Sequence, residues 1–458
     1  MTATAAATAH HGVIARYHDL LTDDVAAETQ AQLDEGLRRL GLFFGDRPLC
    51  TVLRPRFMSA PQYRAMQGRA AILLKAFDKS LQAAMATPKL REQFRLLDWE
   101  ERLVQVHPRF RDASPTSRLD AFFTEGDRGL RFTEYNAETP AGAGFNDILT
   151  ELFYGFAVMR RFLRRYDVLP LPVRHSVMHV LLHAYAQWSD GAKDKPRIGI
   201  LDWREVPTTR EFTIFQEYFQ WHGLDCMIGD PRDAEYRDGK LFVGGQHVNL
   251  IYKRVLISEL VERCGEDGAV IRAVKEGAAC MVNPFRCKIL HKKASLAVLS
   301  DERNASLYTE EERQAIEEHI PFTRVVEERQ TSFHGQRIDL LPFIAERREQ
   351  MVLKPNDEYG GKGIVLGWEV SDAEWKSAIA TALGEPYIVQ ERIILPTEPY
   401  PNWIDGRVQI HDRMVDTAPF CFDGSYVAGC MTRIGTTSLI NVTAGGGSSV
   451  PTFLVEQR

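Results

Sequence analysis

Lys354 ends an apolar run rich in β-branched residues, and six residues later the chain reads YGGKG, with Gly360, Gly361 and Gly363 around Lys362. An ammonium group followed by backbone N–H groups that glycine leaves free to close on an anion is the chemistry of a phosphate cradle. The stretch is not a Walker A loop, because Asn356 stands where that motif needs its first glycine and Gly363 where it needs Ser or Thr. The G-x-G-x-x-G dinucleotide pattern is absent here too. A second set of chemically able residues lies far upstream, in TSRLDAFF and RFTEYN. Alternation along a strand places Arg118 and Asp120 on one face, and Phe132, Glu134 and Asn136 on one face of the next strand. If the hairpin closes through EGDRG, two carboxylates and one amide oxygen converge. Those are hard oxygen donors suited to Mg²⁺, with room for a second ion about 4 Å away to clamp a phosphoryl group. The competing reading is that Asp120 and Glu134 are polar residues of a half-exposed hairpin. The adjoining NAETPAGAG places Pro140, Gly142 and Gly144 where a loop brings its backbone close to a ligand.

R-L-D, then E-Y-N beginning fourteen residues after Asp120, then a Pro/Gly loop: this order resembles the signature of the ATP-grasp ligases, a superfamily that includes D-alanine–D-alanine ligase and glutathione synthetase. The resemblance implies that Asp120, Glu134 and Asn136 hold magnesium, as two ions, at the phosphates of ATP, with Arg118 near the reacting acyl phosphate. It implies a phosphate-binding Lys354 and a flap formed by Gly360, Gly361, Lys362 and Gly363. YIVQERI resembles the adenine hinge and gives Gln390, Glu391 and Ile393, and LHKKASLAVLSDE gives Lys292 as a further nucleotide contact. Arg433 in MTRIG and Asn441 in NVTAGGG resemble acceptor-site groups, although an edge-strand arginine and a hairpin turn also describe them. The metal strands precede the lysine, flap and hinge, which implies circular permutation, easily accommodated when termini lie together at a surface. The chain thus resembles the circularly permuted group to which glutathionylspermidine synthase belongs. The fold implied is α/β (α+β), a circularly permuted ATP-grasp with an inserted lobe and a helical N-terminal region. The activity implied is ATP-dependent joining of a small-molecule or peptide-like carboxylate to an amine through an acyl phosphate. A nucleotide-binding scaffold without turnover and a small-molecule kinase are the alternatives.

The elements that would position these residues are read from pattern. Apolar spacing of three and four predicts a mainly helical region over 1–105, whose small, polar start holds His10 and His11. The hairpin and a helix over about 147–165 make up 106–165. From RIGILDWRE to VNLIYKRVL, short apolar strands alternate with helix, which predicts a small Rossmann-like α/β lobe over 166–285 with a mostly parallel sheet. Arg204, Thr208 and Arg210 come after a strand C-terminus there, the place where such sheets bind ligands; a helix cap by Thr208 or Thr209 is the plainer account. FRCKILHKKASLAVLSDE reads as a helix, and strands dominate the rest of 286–458.

At 458 residues the chain exceeds one ordinary core and predicts two or three folding units. A net charge of -6 argues against general nucleic-acid or membrane-surface binding. The seven scattered cysteines contain no C-x-x-C and fit a reducing cytoplasm. The start lacks a basic and then apolar signal pattern, and no apolar run reaches the ~18 residues of a membrane helix.

Overall fold

The computed structural model describes residues 12–123, 129–191, 195–437 and 447–458. It is a mixed α/β protein whose sheets are joined by segments distant in sequence. The largest has nine strands and takes the path 397–404, 407–415, 426–435, 418–422, 116–123 and 130–136. Strand Gly447–Gln457 extends it by pairing with 426–435, then in parallel with Arg56–Met58 and antiparallel with Tyr166–Pro170. The N-terminal region is therefore helical with a strand woven into the main sheet. Its long helix Ala60–Ala86 begins at a capping box, in which the Ser59 hydroxyl accepts from the Gln62 N–H and Gln62 returns the bond. Leu73, Leu74, Phe77 and Leu81 of that helix share one core with Leu119, Ala121, Phe132 and Tyr135 of the 116–136 hairpin, Phe77 lying 4.6 Å from Tyr135 between ring centroids.

The alternating segment builds a four-stranded parallel sheet in the order 280–282, 250–253, 197–201, 225–229. Strand Tyr166–Pro170, grouped with this segment by its position in sequence, pairs instead with the C-terminal strand. A smaller antiparallel sheet runs 323–325, 387–391, 351–355, 365–366 and carries Lys354 and the glycine loop. Two expected helices are each broken. The 147–165 helix starts earlier, at Ala143, and stops at Tyr154 before a second helix Ala157–Phe162. The expected 285–302 helix is split into Cys287–His291 and Ala294–Ser300 by Lys292, whose backbone is extended with ψ 132°. Among the described residues no helix is long and apolar enough to cross a membrane.

Candidate active site

Strands Thr116–Phe123 and Leu130–Asn136 pair so that Asp120 faces Glu134 and Arg118 faces Asn136. The ladder then slips: Ala121 faces Phe132, and Thr133 is the extra residue of a bulge. Strict alternation would put Phe132 beside Glu134 and Asn136. The bulge instead sends Phe132 into the core while Thr133, Glu134 and Asn136 line a cavity of about 630 Å³. Arg118, Asp120 and Phe122 line it from the partner strand. The expected turn at EGDRG falls largely outside the described residues, as does Asn441.

From the smaller antiparallel sheet and the residues just beyond it, the same cavity is lined by Lys354, Gly360, Gly361, Gln390, Glu391 and Ile393. Arg433 and Asp416 close the side behind Asp120. The loop from Asn356 to Ile364 turns on Gly360, Gly361 and Gly363, whose φ values of 68°, 80° and 72° lie in the left-handed region that glycine tolerates. At Gly363 an added Cβ would also stand 2.7 Å from the Pro355 ring. Lys362 points away, with its side chain 77% exposed and its ammonium 3.3 Å from Glu358; neither it nor Gly363 lines the cavity. Lys292 is buried against Glu100 at 2.7 Å and Asp357 at 2.9 Å and does not line the cavity either. The next residue, Lys293, reaches the wall: its ammonium is 3.1 Å from Glu134. Because residue 292 interrupts the helix, a one-residue difference decides which lysine meets the site.

Charge is concentrated where the strands meet. Asp120 accepts from Arg118 Nε at 2.8 Å and from Arg433 Nη2 at 2.7 Å, while Arg433 Nε donates to Asp416 at 2.5 Å. Burial alone would push the Asp120 carboxyl up, but these two guanidinium groups hold it well below the usual carboxylate range. Burial likewise opposes ionisation of Glu134, and Lys293 overrides it, with Lys354 adding to the same effect against the charge of Asp120. Lys354 donates to Gln390 Oε1 at 2.7 Å, and burial pushes its pKa down to about 8 despite Glu134. Gln390 also donates to Thr323 Oγ1 at 3.0 Å, so its amide is oriented by the neighbouring strand.

Do these residues suit magnesium? Two carboxylates and an amide share the cavity face of adjacent strands, and the Asn136 amide nitrogen is buried without a partner. The donor set is hard oxygen, as Mg²⁺ requires; the partnerless Asn136 nitrogen is a donor that lacks an acceptor, such as a phosphate oxygen would supply. The set fits. Glu138, His291 and Asp357 form a second group whose ligand atoms lie within 4.8 Å of one another. That group fits poorly, because the Lys288 ammonium already stands 3.1 Å from Glu138 and 2.8 Å from Asp357. Asp120 and Glu134 also carry cations, Arg118, Arg433 and Lys293, but these two acids line the cavity, whereas Glu138 and Asp357 do not.

The parallel sheet adds residues that the motifs did not single out. Asp202 and Arg254 come directly after the paired strand ends Leu201 and Lys253, and with Thr208 and Glu259 they line the cavity. Arg204 and Arg210 turn elsewhere: Arg204 bonds Asp230 and Asp233, and Arg210 bonds the Leu40 carbonyl. The signal that could have found Asp202 and Arg254 is their place at the C-terminal edge of a parallel sheet, directly after two adjacent strands.

No protein-family profile matches the chain. A candidate glutamate–cysteine ligase 2-3 of Frankia alni is 26% identical over 230 residues, 47% of this chain and 24% of that protein. An uncharacterized protein of Mycobacterium tuberculosis is 27% identical over 249 residues, 50% of this chain and 43% of its own length. The chain thus aligns with less than half of these relatives. Among solved structures, a glutathione synthetase-like effector from Globodera pallida superposes with a TM-score of 0.60 at 12% identity, covering 94% of this chain and 98% of that one. At that identity the match shows a shared fold.

Proposed function

We propose that the protein is an ATP-dependent carboxylate–amine ligase of the ATP-grasp kind, circularly permuted. The observation that carries this is the meeting, around one cavity, of Asp120, Glu134 and Asn136 with Lys354, the glycine loop and the Gln390–Ile393 stretch, from segments more than two hundred residues apart. The fold shared with a glutathione synthetase-like protein supports it, as does the ligase name carried by the Frankia relative.

On this reading the adenine lies against Gln390, Glu391 and Ile393, and the triphosphate runs under the loop past Lys354. Asp120, Glu134 and Asn136 would hold magnesium, which when bound neutralises phosphate charge. The γ-phosphoryl group passes to a carboxylate oxygen of the first substrate and ADP leaves. The amine nitrogen then attacks the acyl carbon, the tetrahedral oxyanion forms beside Arg118 and Arg433, and inorganic phosphate departs. A preorganised donor of this kind typically contributes about 3 kcal/mol. Protein chemistry is otherwise limited to positioning, because phosphoryl transfer needs little covalent help. Substrates are a small or peptide-like acid and an amine.

The test is ADP release from Mg-ATP across pairs of free amino acids, short peptides and simple amines. A ligase releases ADP in proportion to amide formed, and only when both substrates are present. ADP release with one substrate and no amide identifies a kinase, and silence across the panel identifies a scaffold.

A further inference from the structure

The end of the cavity formed by the parallel sheet is unlike the rest: its carboxylates have no cation bonded to them. Trp203, itself 2% exposed, holds both. Its backbone N–H donates to Asp202 Oδ1 at 2.8 Å, and its indole N–H donates to Glu259 Oε2 at 2.8 Å. Neither acid forms an ion pair with a described residue, and the Arg254 guanidinium is committed to the Pro140 carbonyl at 2.8 Å and Glu211 at 3.3 Å. Burial, reinforced by Glu259, pushes the Asp202 carboxyl up to about 6 against the Trp203 N–H and the charge of Arg254. Both are half-buried, and a partly desolvated carboxylate without a counter-ion is costly to maintain.

A second, independent observation lies across the glycine loop. His291 lines the same cavity, its side chain is only 10% exposed, and its Nδ1 is buried without a hydrogen-bond partner. Its Nε2 has only a 3.8 Å approach to Glu138. Burial pushes this imidazole down to about 4, so it is neutral and offers a lone pair. The loop links the two groups: Asp357 lies within ligand distance of His291, and the Tyr359 hydroxyl reaches Glu259 Oε1 at 3.5 Å.

We infer that this end of the cavity is the acceptor subsite, and that it takes its amine as an ammonium ion held by Asp202 and Glu259, with the buried, partnerless nitrogen of His291 as a further acceptor. An ammonium group has N–H donors to match such acceptors and no acceptor of its own. The inference rests on the ligase reading and narrows it to acceptors that are cationic on arrival. One N–H bond of the ammonium breaks and its proton passes to the Asp202 carboxylate; the freed lone pair forms the C–N bond at the acyl carbon, and as the tetrahedral oxyanion collapses the C–O bond to phosphate breaks and the departing phosphate takes the second N–H proton. Tyr359 sets the loop tip against Glu259, so loop closure and amine capture share a contact.

The test compares Asp202→Asn, Glu259→Gln and His291→Gln with the parent protein, using a productive acid from the ADP screen. Two nucleophiles are the probes: glycine, whose amine is cationic at pH 7.5, and hydroxylamine, which is neutral there and traps the acyl phosphate as a hydroxamate. The expected result for the two acid variants is a tenfold or larger rise in KM for glycine, with hydroxamate formation falling less than threefold. His291→Gln, which keeps a hydrogen-bonding group, should raise the glycine KM less. An unchanged glycine KM, or equal losses with both nucleophiles, overturns the subsite. If the parent protein forms neither amide nor hydroxamate with any acid, the ligase reading itself fails and takes the subsite with it. Melting curves of each variant separate misfolding from lost binding, and Glu259→Asp, which retains the charge, should restore part of the affinity.

Discussion

Glu134 and Glu138 are four residues apart and stand in two ion clusters of nearly the same composition, yet the clusters have opposite character. Around Glu138, the acids Glu100 and Asp357 and the lysines Lys253, Lys288 and Lys292 form a sealed network. Glu138 and Lys288 are 0% and 2% exposed at the side chain, and Glu138 is held down at about 2, burial being overridden by Lys288 and Lys253. Three carboxylates meet three ammonium groups, and the charges close among themselves. Around Glu134, the groups border a cavity, the Asn136 amide has no partner, and Asp120 is shared between two arginines that also face the cavity. The first cluster braces the base of the glycine loop through Asp357; the second is arranged for something that enters. Composition cannot separate a scaffold from a site, but closure can.

That contrast is most strongly challenged at Lys288. Lys288→Met leaves Glu138 and Asp357 short of a buried counter-charge, and breaking such a pair costs roughly 3–5 kcal/mol. Chemical denaturation should show the loss, and a change below about 0.5 kcal/mol would mean that the network is not the brace described. A middle-sized effect belongs to Lys354. Its ammonium form is complete well below pH 8 and is lost as pH rises through about 8, so the KM for ATP should climb between pH 7 and 9.5 by up to about tenfold per unit. Lys354→Arg, charged throughout, should flatten the profile; an equally steep profile in that variant would assign the titration elsewhere. The smallest effect is expected at Lys362, whose exposed ammonium bonds Glu358. Lys362→Ala should change stability by no more than about 0.5 kcal/mol and the ATP KM less than threefold, and a larger kinetic loss would place this lysine on the nucleotide after all.

The hairpin carboxylates, Lys354 and the glycine loop were readable because short-range pattern decides them: alternation, a strand end and left-handed turns. The features that escaped were decided by tertiary partners. The bulge at Thr133 separates Phe132 from Glu134, and alternation has no term for a register slip. Lys292 and Lys293 differ by a helix break whose cause is the packing of residues 287–300 against the loop, where the Lys293 N–H donates to the Asn356 carbonyl. Asp202, Glu259 and His291 come from three segments that carry no shared motif, so only the folded sheet brings them to one cavity.

The central claim is that Glu134 serves a bound cation and not the fold, and Glu134→Gln tests it with little change of shape. The amide oxygen can still accept from Lys293, so stability should fall by about 1 kcal/mol at most. Turnover should drop by roughly a hundredfold or more, about 2.7 kcal/mol of barrier, because a hard-cation site depends on carboxylate charge. ADP release is measured at rising magnesium beside a melting curve without nucleotide. The account predicts a large kinetic loss, greatest at low magnesium, on an almost unchanged melting curve. Parent-like ADP release at low magnesium, or a kinetic loss that merely tracks a collapsed melting temperature, would contradict it.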